Sequence, residues 1–173
     1  MRTFLIPTLA MLAIASTERA SAQTAPGDPA SVETDELGKS YDADGIPTFD
    51  IAEDGTVDWH TFSGYRRYSA ECHVCHGPDG EGSTYAPALI ESVAAMDYYD
   101  FNYVVSEGRI HETGGGGQNV MPAFGTNPNV MCYLDDIYIY LRARAQGDLP
   151  RGRPGDKEQK TDAYATAENE CMG

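Results

Sequence analysis

The run Cys72-His73-Val74-Cys75-His76 holds the residues of this chain best suited to chemistry. Two thiols this far apart come round to one side of a helical turn. There each can form a thioether with a vinyl group of a haem. The next residue, His76, then offers an imidazole nitrogen to the iron. His73 is read as a spacer within the motif. A bare C-x-x-C also serves as a redox dithiol or as half of a zinc site. Neither of those requires a histidine after the second cysteine. A zinc site needs two further ligands with a short spacing of their own, and the remaining cysteines, Cys132 and Cys171, lie far apart. The motif is therefore read as the covalent attachment site of one haem c, with His76 as an axial ligand.

A haem iron held by histidine on one side takes a second ligand or keeps an open position. Met121 is the candidate, in Asn119-Val120-Met121-Pro122-Ala123-Phe124, just after the glycine run Gly114–Gly117. Pro122 lacks a backbone donor and stiffens the segment that would present the thioether. Met131 and His111 compete. Met131 is expected inside the first turn of a helix, where packing explains a methionine. His111 is expected at the surface. The glycine run has no strand–loop–helix context and no following Lys-Ser/Thr, so it is not read as a phosphate loop.

The elements that must position these groups are helical. Asp58 is read as the N-cap of a helix over Trp59–Glu71, with Trp59, Phe62, Tyr65 and Tyr68 at helical spacing. Asp97 caps a second helix, which carries Phe101, Val104 and Val105 and stops at Gly108. Asn127 or Asn129 opens a third, with Val130, Leu134, Ile137 and Leu141 on one face, ending near Gly147. A short turn is expected around Leu89–Ala94. The haem-bearing domain is placed at residues 58–147, between an irregular extension at 23–57 and a tail at 148–173. Asp42-Ala43-Asp44-Gly45 resembles the start of a calcium loop but lacks the later ligands, and is read as an acidic turn.

Residues 1–22 read as a cleaved secretory signal: Arg2, the apolar run Phe4 to Ala15, then Ala20-Ser21-Ala22. The apolar run is too short to span a bilayer, so the mature form is expected to have no membrane span. Cleavage would remove two basic residues and one acidic one, taking the formal charge from −15 to −16. So acidic a chain excludes nucleic acid as a natural partner, because phosphate is repelled. It favours a partner with a basic docking face. In an oxidising compartment Cys132 and Cys171, both outside the haem motif, are expected to form a disulfide.

The wider sequence resembles the class I cytochromes c. Gly64 and Tyr68 precede Cys72 at the places where that family has a glycine and an aromatic, facing Ile137 and Tyr140 in Asp136–Leu141. Pro87, in Tyr85-Ala86-Pro87-Ala88-Leu89, matches the family's proline whose carbonyl holds the ligating histidine's ring N–H. Longer runs are similar to the cytochrome cL family, the electron acceptors of quinone-dependent methanol dehydrogenases. These include Cys75–Gly80, Ser83–Leu89, Met96–Phe101, Asn127–Tyr133, Tyr138–Arg144 and above all Gln118–Gly125. The resemblance implies an all-α fold packed around one haem c and a periplasmic electron carrier rather than an enzyme. Its electrons would come from a quinone-dependent methanol dehydrogenase and pass to a downstream c-type cytochrome or oxidase. Another quinone-dependent alcohol dehydrogenase as donor, a general shuttle, and a gas-binding haem sensor are the alternatives.

Overall fold

The structure is a computed structural model and describes residues 31–112 and 117–173. The signal segment at 1–22 and most of the glycine run lie outside the described residues.

Two helices form the centre, α1 (Trp59–Glu71) and α6 (Leu134–Gln146). Asp58 starts α1 as an N-cap, its carboxylate accepting the Thr61 N–H at 2.8 Å. The first half of α1 is buried all round, from His60 to Gly64, and burial returns at Tyr68. The helix lies against α6, the most deeply buried helix among the described residues, whose Ile137, Ile139, Tyr140 and Leu141 are closed off from solvent. The axes approach at Gly64, where any side chain would collide with α6: an added Cβ would lie 1.8 Å from the Asp136 carbonyl oxygen. A buried polar chain fastens the same crossing. Asp136 meets His60 Nδ1 at 2.6 Å through one oxygen and accepts from the Tyr164 hydroxyl at 2.6 Å through the other.

Short helices complete the front: α2 (His73–His76), α3 (Leu89–Ala95), α4 (Tyr98–Glu107) and α5 (Pro128–Met131). A 3-10 turn covers Pro78–Gly80. Asp97 caps α4 by accepting from Asp100 N–H at 2.8 Å, and the helix stops at Gly108. The third helix read from the sequence is two. Asn127 caps α5 through the Asn129 N–H at 3.0 Å, with Pro128 in the first turn. The backbone then leaves the helical region at Tyr133 before α6 begins. At this break both side chains engage the C-terminal segment: Cys132 is joined to Cys171, and the Tyr133 hydroxyl donates to Glu168 at 2.8 Å.

The chain is largely helical but not wholly so. Strands β1 (Glu33–Thr34), β2 (Ser40–Tyr41) and β3 (Pro47–Thr48) form a small antiparallel sheet in the expected irregular extension. Its turns follow from Asp-x-x-Gly sequences. Asp35 accepts from the Leu37 and Lys39 N–H groups, and Asp42 from those of Asp44 and Ile46. The other Asp42 oxygen takes Arg142 at 2.7 Å, so this acidic turn is a structural pin. The expected tail also carries structure, a helix α7 (Asp162–Met172) capped by Thr161. Extension and tail meet: Val57 forms a parallel bridge with Lys157, and the Thr161 hydroxyl donates to the Leu37 carbonyl at 3.0 Å. Together they make a belt across the back of α1 and α6. A final ribbon pairs β4 (Arg109–Glu112) with β5 (Gln118–Met121) at the front.

Candidate haem site

The front elements enclose a cavity of about 950 Å³, near the top of the range for small-molecule and cofactor sites. Its lining is mostly apolar, from Leu89, Val93, Phe101, Val105, Ile137 and Leu141 among others. Cys72, Cys75 and His76 all line it, delivered by the end of α1 and by α2. The Tyr68 hydroxyl holds the turn after the motif by donating to the Gly77 carbonyl at 2.5 Å and accepting from Gly80 N–H at 3.0 Å.

His76 is buried, with Nδ1 2.9 Å from the Pro87 carbonyl oxygen. A carbonyl only accepts, so this contact puts the proton on Nδ1 and leaves Nε2 with a lone pair for a metal. Cys72 and Cys75 form no disulfide. Burial, with the charges of Glu71 and Cys75 adding to it, pushes the Cys72 thiol up to about 12. Redox dithiols work the other way, through a lowered pKa that yields a thiolate. Among the described residues no group of three or more His, Cys, Asp or Glu is placed to hold a bare metal ion. Dithiol and zinc readings of C-x-x-C thus both lack support in the geometry.

Met121 lines the same cavity from β5, whereas Met131 lies beside a separate small cavity at α7. His111 reaches the large cavity from β4, and His73 is exposed and does not line it. Met96 and Arg109 also line the cavity, and the sequence reading gave neither a role. Met96 follows α3, and Arg109 stands directly opposite Met121 in the ribbon register. The signal for Arg109 was present: Gly108 ends a helix, and the residues after it can pair with Gln118–Met121. Val74, Tyr85 and Val120 line the cavity while remaining largely exposed, which gives it an apolar open rim.

No protein-family model matches the chain. It is 63% identical over 137 residues to cytochrome c-553I of Paracoccus denitrificans, a match covering 79% of this chain and 60% of that protein. It is 36% identical over 97 residues to cytochrome c-555 of Methylococcus capsulatus, covering 56% of this chain and 72% of the relative. Among solved structures it is similar to the c-type cytochrome XoxG of Methylobacterium extorquens AM1. The TM-score there is 0.73 at 55% identity, over 80% of this chain and 84% of the other. The chain is a c-type cytochrome. It spans about 60% of the length of the Paracoccus relative.

The cytochrome's cofactor is haem c, and its residues fit that group. Two free thiols, an imidazole with Nε2 available and an apolar hollow of sufficient size sit together. When bound, the haem supplies an iron that takes up and gives back one electron at a time. Cys72, Cys75 and His76 would hold the group, and the apolar lining would keep water from it. Among the described residues no helix is long and apolar enough to cross a membrane.

Proposed function

We propose that this cytochrome is an exported, periplasmic monohaem carrier of the class I fold, which accepts single electrons from a quinone-dependent methanol dehydrogenase. Cys72 and Cys75 hold the haem through thioethers, and His76 and Met121 are the axial ligands. Pro87 fixes the His76 ring. The observation that carries this reading is the meeting of the C-x-x-C-H segment and Met121 at one apolar cavity, although forty-five residues separate His76 from Met121. A thioether ligand raises the potential relative to a second histidine, which suits an acceptor for a quinone. It also fills the position a gas sensor needs open. The choice of donor rests on the similarity of Gln118–Gly125 and its flanking runs to the cytochrome cL family.

Electrons leave by outer-sphere transfer at the open rim, toward a downstream c-type cytochrome or oxidase. Docking at such a site is brief, and a small, charged, wet interface serves it. The test is stopped-flow reduction of the purified cytochrome by a panel of quinone dehydrogenases. Methanol-driven reduction by the cognate enzyme should be much faster than reduction by unrelated donors. Similar rates from all of them would identify a general shuttle instead.

A further inference from the structure

Arg109 is unusual among the basic side chains of this acidic protein. Most others have a partner close at hand: Lys39 with Asp135 at 2.7 Å, Arg142 with Asp42 at 2.7 Å, Arg144 with Glu81 at 3.3 Å, and Lys157 over the Trp59 ring at 5.0 Å. Among the described residues Arg109 has no ion-pair, hydrogen-bond or ring partner, in a chain of net charge −15. Its place is fixed nonetheless. Directly opposite residues of an antiparallel pair project to the same face, so Arg109 and Met121 share one side of the ribbon, and both line the cavity. Gly108 sets this register by packing where a Cβ would come within 2.6 Å of the Met121 carbonyl oxygen. The other ionisable groups on the lining are Glu71, of the wrong sign, the attachment cysteines, His76, the Tyr85 phenol, and His111 two residues further along β4. Haem carries two carboxylates. Buried or half-buried carboxylates require a cation or strong donors, and a guanidinium is the side chain best shaped to meet one.

We propose that Arg109 binds a carboxylate of the covalently held haem. It is a positioning residue that ties the ribbon bearing Met121 to the cofactor and raises its reduction potential by offsetting the carboxylate's charge. The inference rests on haem occupying the cavity, and its test separates the two. Full-length holoprotein is prepared as parent, Arg109→Gln, Arg109→Lys and Arg66→Gln. Arg66 is exposed on α1 and does not line the cavity, so its variant makes the same change of net charge elsewhere. Covalent haem is measured first by mass spectrometry, and a parent without it ends the cofactor reading itself. Midpoint potentials are then taken by spectroelectrochemistry.

Arg109→Gln should favour the ferric form up to tenfold at a fixed potential, about 59 mV for a one-electron couple. Arg109→Lys keeps the charge without the fork and should shift in the same direction by less, while Arg66→Gln should hardly move. Should Arg109→Gln fail to retain haem, the Lys variant alone carries the comparison with Arg66→Gln. A fully haem-loaded Arg109→Gln with the parent's potential, or a shift no larger than that of Arg66→Gln, overturns the assignment.

Discussion

Gly64 lies so close to Asp136 that a β-carbon on it would fall 1.8 Å from the Asp136 carbonyl oxygen. The clash is with backbone, which cannot swing aside as a flexible side chain can. Gly64→Ala should therefore push α1 and α6 apart and cost about 3 kcal/mol or more, at the upper end for overpacking. Thermal unfolding of the holoprotein measures this. A loss below about 0.5 kcal/mol, the size of an ordinary surface substitution, would mean that the helices do not meet so tightly.

Met121→Ala should abolish the ferric thioether-to-iron charge-transfer band and open the iron to added imidazole or cyanide. Met131→Ala should leave both properties unchanged, because Met131 lies at a different cavity. Met96→Ala is the sharper control, since Met96 shares the lining with Met121. Loss of the band in the Met96 variant alone would move the ligand assignment to Met96.

The Cys132–Cys171 disulfide spans 39 residues, and its Cα atoms are 5.8 Å apart. In the chain-entropy model a loop of that length is worth about 4 kcal/mol. Cys132→Ser/Cys171→Ser should lower stability toward that figure and leave the potential nearly unchanged, because neither residue lines the haem cavity. Denaturant unfolding and spectroelectrochemistry of one sample check both halves.

Acid should loosen α7 before the core. The Glu168 carboxyl lies below the ordinary glutamate range: burial works against its charge, but hydrogen bonds from Lys160 and Tyr133 and the charges of Lys160 and Arg67 outweigh it. A lowered folded-state value means stabilisation that is complete above the unfolded pKa and is lost as pH falls through the folded one. The window therefore opens below the ordinary value of 4.5. Amide exchange in α7 followed from neutral pH into this range should show protection lost there. In Glu168→Gln that acid-dependent step should disappear.

Reduction by the donor should slow as salt rises. The screening length is ~8 Å at physiological ionic strength, so long-range steering of an acidic carrier to a basic face fades early. Rates independent of salt would assign docking to the apolar rim of Val74, Tyr85 and Val120.

The caps and the attachment motif were legible because their signals are local. Asp58 and Asp97 each accept the N–H three residues on, and the order of residues 72–76 alone specifies the haem chemistry. What escaped reading is held by distant partners. The break between α5 and α6 lies at Cys132 and Tyr133, whose anchors, Cys171 and Glu168, are far along the chain. Strands β1 to β3 are two residues each, too short to show alternation. Helix α7 had a local signal, Thr161 before an alanine-containing run, but Tyr164 is its only buried residue, so no apolar stripe marks it.

The belt of extension and tail has a consequence for traffic. None of residues 31–57 or 147–173 lines the haem cavity: Pro47 and Asp42 are anchored on Arg142, Tyr164 on Ser63 and Asp136, and Arg151 and Gly152 on Asp79. Among the described residues the exposed apolar part of the lining is the rim at Val74, Tyr85 and Val120. If donor and acceptor both use that rim, whatever loads the electron and whatever unloads it stand at the same threshold and take turns. Transport then depends on departure as much as on arrival: a donor that gripped more firmly would deliver faster and release too late. In such a molecule a weak handshake is part of the design.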